Sequence, residues 1–458
     1  MRSVVPAHAV GFALDGSRID RRFYDYRINT VRLRTDADYE ELLRDVFAKA
    51  VGARLRSVEP VWAELSGGLD SSSVVCMADW LIKRGRVDAP RLRTISLYSS
   101  GSPEDDDRRF IGAVEKQIND SGLHLDTDDA AELFDAAAGW VTPAHPRAAW
   151  LAVLSRVRAN GGRVLLTGNG GDFLLASRLD WSHSAYELLQ EGRIVAFLRE
   201  LHAWALASKT PLIHLLSRQG GMVLPALQRP PGIQELTHWW PRGIDHPCRL
   251  ALTEVVGELV AWRRAEHEAL NRYPSALRAT LSTLQRFAVC GTAQAPAELP
   301  GLLVTHPFLD RRLVDTAIAI PQRQLARPGE PRSLMRRALA GLLPPAILGR
   351  FSKGYSSPPR MRQLARVVPS LDADVSACQL VRHGWVDDAQ VLRLLRRFKA
   401  AQHEALGPML SLVSVELWLR ARGSRTRVDP RPSNLGADNQ RKKGGDKPCG
   451  TRNLSSSR

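Results

Sequence analysis

One stretch of this chain has residue types and spacing suited to holding an anion: "ELSGGLDSSSVV", residues 64–75. Apolar residues lead into it and follow it, so it ends a buried strand and opens a helix. Gly67 and Gly68 let a backbone come close to a ligand and turn its amides outward, while Ser66, Ser71 and Ser72 add hydroxyl donors. The predicted helix start near Asp70 brings the positive end of a helix dipole to the same spot. These groups together form a phosphate cradle. Asp70 would repel a phosphate, so its presence implies a bridging divalent cation such as Mg²⁺. The stretch is not a Walker A loop, because no Gly-Lys-Ser/Thr triplet follows the glycines or occurs elsewhere, and it is not a G-x-G-x-x-G fingerprint.

A second glycine turn, "VLLTGNGGDFLL" (164–175), also follows a predicted strand and carries Asp172. The elements that must position the two turns alternate. An amphipathic helix begins at Asp36, with Tyr39, Leu42, Leu43, Val46, Phe47, Ala50, Val51 and Leu55 on one face. Strands are expected at 61–65, 92–98, 123–126 and 163–167, and helices at 71–83, 108–118 and 148–158. This order predicts an α/β fold, a parallel sheet with helices on both faces, with both turns at the carboxyl ends where such sheets bind ligands. Beyond Ser177 the pattern turns helical and irregular to about Pro300, and a further helical region runs to about Arg422. The expected organisation is an N-terminal edge (1–38), a synthase-like unit (39–425) with a sheet core at 58–180 and a helical part at 181–425, and a basic tail (426–458).

The bulk numbers restrict the function classes. With 458 residues, 44% of them apolar, the chain can bury a large core. No run of about 18 apolar residues marks a membrane span, and the first residues lack the layout of a signal peptide, so a cytoplasmic protein is expected. Cys76, Cys248, Cys290, Cys378 and Cys449 include no C-x-x-C pair, which argues against a zinc site and a disulfide framework. The net charge of +16 invites a nucleic-acid reading. However, residues 422–458 hold ten Lys/Arg against three Asp/Glu, so +7 of the charge sits in a Gly-, Ser- and Pro-rich tail expected to be disordered. No nucleic-acid partner is expected.

The Ser66–Ser72 run resembles the pyrophosphate-binding loop of the PP-loop ATP pyrophosphatases, which split ATP between the α and β phosphates and transfer AMP to a substrate. The second turn narrows the resemblance to the synthase domain of asparagine synthetases, with its G-x-G-G-D-E turn. "HPFLDRRLVDTAIAIP" (306–321), "RSLMRRALAGLLPPAILGR" (332–350) and "FSKGY" (351–355) follow that family's order, so the likeness spans about Tyr39 to Arg422. It implies a PP-loop (adenine nucleotide alpha hydrolase-like) fold followed by a helical C-terminal region. It also implies an ATP site built from Leu65, Ser66, Gly67, Gly68, Leu69, Asp70, Ser71, Ser72, Leu97 and Gly168, with Mg²⁺ on Asp70 and Asp172. Lys353 corresponds to the lysine that neutralises charge on the reacting phosphate, so Lys353, Asp70 and Asp172 are the expected catalytic residues. The "SPEDDDRRF" run at 102–110 resembles the family's acidic loop.

Several positions depart from the family pattern. Fewer than 40 residues precede the first synthase helix, where asparagine synthetases carry a glutaminase domain, and residues 5–26 resemble only its last segment. Asn169 stands where a glutamate handles the protons of attacking ammonia; an amide is no general base. Phe173 replaces an acid, and Thr305 replaces an arginine. These changes resemble the macrolactam synthetases that close lasso peptides, as do "RFSKGYSS" (350–357) and the helix at 410–423. That branch adenylates an Asp or Glu side chain of a precursor peptide, and the peptide's own amine attacks. A bound amine needs less base catalysis. The implied function is therefore an AMP-forming amide synthetase acting on a peptide, with a precursor-processing protein or a separate amine donor as a partner. The alternatives are an asparagine synthetase using free aspartate, a non-catalytic truncated partner, and a tRNA-modifying PP-loop enzyme, which would need a reactive cysteine.

Overall fold

A computed structural model of the chain describes residues 7–100, 107–126, 147–175, 299–351 and 375–425, most of 185–216 and of 264–288, and a few isolated positions. Strands β1 (His8–Phe12) and β2 (Arg18–Arg22) pair antiparallel as a separate hairpin. Helix α1 (Asp36–Gly52) starts with a capping box: the Thr35 hydroxyl accepts from Asp38 N, and the Asp38 carboxylate accepts from Thr35 N. It stops at Gly52, three residues short of Leu55, which is nevertheless buried.

The central sheet holds β3 (Val61–Glu64), β4 (Leu92–Tyr98), β5 (Leu123–Asp126), β6 (Val164–Leu166) and β7 (Leu303–Thr305), in the order β5-β4-β3-β6-β7. All neighbours run parallel. The intervening helices are α2 (Leu69–Lys83), α3 (Arg108–Ile118) and α4 (Arg147–Ala159). A fourth strand on the far side was expected, but β7 was not. It has three residues, too few to show alternation, and Pro307 follows at once. Its place is fixed by ladder bonds from Leu303 N to Arg163 O (2.7 Å) and from Thr167 N to Thr305 O (3.0 Å).

Both faces of the sheet are buried, as parallel sheets require. Val61, Ala63, Leu92, Val164 and Leu166 point to one side, into a core with Phe47 of α1, Val75 of α2 and Val114 of α3. Trp62, Ile95, Leu165 and Val304 point to the other, against Val153, Leu154 and Val157 of α4. The chain steps outward from β3 to β5, then returns past β3 to β6. Its direction therefore reverses between β3 and β6, the switch point of the strand order, where sheets of this kind bind ligands in a crevice outside the carboxyl ends of the strands. The two glycine turns leave these two strands.

Three further helices complete the sheet's surroundings: a short α5 (Gly171–Leu174), α6 (Ile194–Ser208) and α7 (Ser275–Ala288). After β7 come α8 (Arg311–Ala319) and α9 (Ser333–Ala338). A separate apolar cluster joins α10 (Asp388–Lys399) and α11 (Leu406–Arg425). There Glu416, fully buried, accepts from Gln379 N (3.0 Å), Leu380 N (3.2 Å) and the Cys378 thiol (3.0 Å), and so caps the helical turn Gln379–Arg382 from outside. The expected helix at 410–423 lies within α11. Lys353, the acidic run 102–106 and the tail 426–458 lie outside the described residues. No helix among those described is long and apolar enough to cross a membrane.

Candidate active site

Helix α2 begins at Leu69 rather than Ser71, because Gly68 is extended and caps it, so Asp70 sits in the first helical turn. No side chain caps this end, and its first amides have no helical acceptor. Gly67 has φ +66°, and a Cβ there would lie 2.8 Å from Phe110 Cβ and 3.1 Å from the Asp107 carbonyl oxygen. Only glycine allows the start of α3 to come so close. Ser66 N donates to Ser71 Oγ (3.1 Å), and the two hydroxyls are 3.1 Å apart. The Ser72 hydroxyl is buried with no partner among the described residues. A bare helix start with an orphaned hydroxyl beside it suits a phosphate. Leu65 and Leu69 turn their side chains into the core, so only their backbones face the loop. The Leu97 side chain packs on the second face of the sheet.

The second turn lies directly on the first. A Cβ at Gly168 would lie 2.6 Å from Ser71 N, and one at Gly171 would lie 2.4 Å from Asp70 Oδ1 and 3.1 Å from the Phe308 ring. The structure thus joins the two aspartate-bearing turns through contacts that only glycine permits. Asp70 and Asp172 are hard oxygen donors on touching turns, a donor set that suits Mg²⁺.

Three arginines that the sequence reading passed over complete this side. Arg332 Nη1 lies 2.7 Å from both oxygens of Asp70, so a guanidinium already supplies the positive charge that this carboxylate calls for. Arg332 has φ +57°, a left-handed conformation uncommon for a long side chain. Arg336, buried, donates to the carbonyls of Pro331 (3.1 Å), Leu348 and Arg350 (2.7 Å), tying α9 to the segment that follows it. Arg350 donates to the Gly67 carbonyl (2.9 Å), pairs with Asp107 and lies 3.9 Å above the Phe110 ring. With 55 arginines in 458 residues, nothing local marks these three.

The sequence pattern of the asparagine synthase family matches residues 42–420. The chain belongs to the asparagine synthase family. Its members are ATP-dependent synthetases that form amides, and the α/β sheet with a helical C-terminal region agrees with that membership. Compared directly with curated proteins, the chain has no match.

The other side of this synthase's crevice is aromatic. Phe173, next to Asp172, lies 6.0 Å from Phe287 of α7, and the Phe287 ring meets His306 edge-on at 5.4 Å. His306 follows β7, and its Nδ1 lies 2.6 Å from the hydroxyl of buried Thr167. That hydroxyl also accepts from Asn169 N at 3.3 Å. These groups come from three distant parts of the chain; Thr167, Asn169, Phe173 and His306 lie in motifs quoted above, but nothing in those motifs says that they meet, and Phe287 lies in none of them. Thr305, the departure noted from the sequence, gives its carbonyl to the β6 ladder.

The two described thiols, Cys76 and Cys378, are buried away from the site. Burial pushes Cys76 up to about 12, with Asp79 adding to the shift, and a thiol so placed is no nucleophile at neutral pH. Burial likewise pushes Cys378 up to about 11, helped by its bond to Glu416. This removes the described cysteines as support for a tRNA-modifying enzyme.

Proposed function

We propose that this asparagine synthase family member activates an Asp or Glu side chain of a peptide as an acyl adenylate. It then closes a macrolactam with the peptide's own amine, releasing AMP and pyrophosphate. The observation that carries this reading is the aromatic row Phe173–Phe287–His306 beside Asp172. A free amino acid needs charged groups to hold its ammonium and carboxylate, whereas a peptide offers amides and apolar side chains that aromatic rings bind well. Phe173 and Thr305 stand where relatives that take free aspartate carry charge.

In this account the Ser66–Ser72 amides and hydroxyls hold the pyrophosphate, and Gly168 keeps the second turn close to it. Asp70 and Asp172 would hold Mg²⁺, which when bound neutralises phosphate charge. Arg332 turns from Asp70 to the phosphates once that carboxylate has another cation. Lys353 steadies the reacting α-phosphate. The Leu97 backbone, at the end of β4, borders the adenine.

The test is AMP release from Mg·ATP with a linear precursor peptide, set beside aspartate plus ammonia, with Asp70→Asn as the control. AMP with the peptide alone supports the reading. AMP with aspartate and ammonia would make the chain an ammonia-using asparagine synthetase, and ATP binding without AMP in either tube would make it a non-catalytic partner.

A further inference from the structure

A divalent cation and a guanidinium repel each other on one carboxylate, so the contact between Arg332 and Asp70 sets an order on what binds there. We infer that Arg332 is an internal cation that reserves Asp70. It keeps metal alone off the carboxylate and gives that carboxylate up when nucleotide phosphates draw it away, so metal and nucleotide bind as a pair. The inference rests on the ATP-dependent synthetase reading above and concerns how the Asp70 site is filled, not which acid is activated.

Three observations carry it. First, Arg332 Nη1 lies 2.7 Å from both Asp70 oxygens, and the two side chains are only 16% and 21% exposed, so the pair is sheltered from the screening that weakens surface ion pairs. The turn after β6 presses on the same carboxylate, where a Cβ on Gly171 would lie 2.4 Å from Oδ1. A metal reaching Asp70 therefore meets the guanidinium. Second, the pairing is incomplete from the arginine's side. A single Nη1 serves both oxygens, where a well-seated arginine lays two nitrogens against a carboxylate in parallel. Its Nε is buried and donates to no acceptor among the described residues. A buried donor without an acceptor costs free energy, and a polyanion offers the acceptors it lacks.

Third, the backbone around Arg332 is held while its long side chain can change partner. Arg327 and Glu330 exchange backbone bonds (3.1 and 2.8 Å), the Ser333 hydroxyl donates to Glu330 (2.8 Å), and Arg336 N donates to Arg332 O (3.1 Å). Arg336 is a second cation close by: burial, and after it the Arg332 charge, lowers its pKa, while Glu330 and Asp70 oppose the shift. A metal arriving alone would crowd three cations together, whereas one arriving with a triphosphate is balanced. Asp70 sits in the first turn of α2, on the phosphate cradle itself, so the anion comes to the carboxylate that Arg332 holds.

The test is a binding measurement that needs no turnover. Mn²⁺, followed by electron paramagnetic resonance, serves as the metal, and α,β-methylene-ATP, which resists cleavage between the α and β phosphates, as the nucleotide. Wild type is expected to bind the metal weakly alone and about 100-fold more tightly beside the analogue. Arg332→Gln should tighten the metal alone about tenfold and leave its affinity beside the analogue near wild type, which lowers the coupling about tenfold. Arg332→Lys keeps a cation and should stay near wild type. The added affinity should vanish in Arg332→Gln/Asp70→Asn, which assigns it to that carboxylate. A damaged fold weakens binding, so a gain marks a removed competitor. An Arg332→Gln protein that binds metal alone no more tightly than wild type would overturn the inference, as would a gain that survives the loss of Asp70. Wild type holding metal as tightly alone as beside the analogue would overturn it with no variant needed. If wild type binds no analogue at any metal concentration, the ATP-dependent reading fails and takes the inference with it, an outcome read from the unmutated protein.

Discussion

The two sides of the crevice between β3 and β6 are built of different materials. On the side of the Ser66–Ser72 loop, glycines meet their neighbours with no side chain of their own between: Gly67 on the start of α3, Gly168 on the Ser71 backbone and Gly171 on the Asp70 carboxylate, at distances where a methyl group would collide. Arginines then bolt the loop to its neighbours. On the other side, three half-buried aromatic rings, Phe173 of α5, Phe287 of α7 and His306 just after β7, form a row with neighbours 5.4–6.0 Å apart, its imidazole tethered by a hydroxyl. The difference teaches what each side has to do. A pyrophosphate is the same in every turnover and rewards a rigid cradle of amides. An acyl acceptor is what distinguishes one family member from another, and side chains can change where a backbone cradle cannot.

The contrast can be broken at several points. Asp70→Asn should cost the most, about 10²–10³-fold in pyrophosphate exchange, because it removes the carboxylate around which the nucleotide side is arranged. Near-normal exchange in that variant would mean that the Arg332–Asp70 pair is only structural. Gly171→Ala pushes a Cβ to 2.4 Å from Asp70 Oδ1 and should lose exchange together with about 1–3 kcal/mol of stability, read from denaturant midpoints. Gly112→Ala, on the solvent side of α3 with open space around it, is the matched control and should be neutral or stabilising.

Asp310 caps α8 and ties the turn after β7 to α1. Hydrogen bonds from Arg312 hold its carboxyl well below the usual carboxylate range against the opposing pull of burial, and Arg54 adds to the effect. A pKa lower in the folded than in the unfolded chain means the ionised form stabilises. That contribution is present above about pH 4 and is lost as pH falls further. Asp310→Asn should therefore cost about 2 kcal/mol at neutral pH and make the acid limb of the stability curve shallower. An unchanged acid limb would show that the pairing is not maintained in solution. The smallest effect is expected at the aromatic row: Phe287→Ala should raise the KM for the peptide about tenfold, equivalent to about 1.4 kcal/mol, and leave the KM for ATP alone. An ATP effect instead would place the ring on the nucleotide side.

What the sequence made legible follows the same division. The glycine turn at Ser66–Ser72 could be placed between a strand and a helix because its seven residues are contiguous, and β4, α3 and β5 fell where hydrophobic spacing put them. The acceptor side could not be read that way. Thr167 and His306 are 139 residues apart and meet only because β7 joins the sheet. That strand is three residues long, with Leu303 exposed at its start, so it shows no period. Arg332 and Arg350 were hidden for a different reason: their partners, Asp70 and Gly67, lie more than 250 residues away in a chain rich in arginine. Leu97 lies in a strand that fell where it was expected, and with its side chain in the core only its backbone is left for the role the resemblance implies.

The most direct test of the central claim is the mass of a linear precursor peptide after incubation with the enzyme and Mg·ATP. The account predicts a product lighter by one water, with its N-terminal amine blocked and its acceptor Asp or Glu consumed, formed in step with AMP. An unchanged peptide alongside asparagine made from free aspartate and ammonia would contradict it.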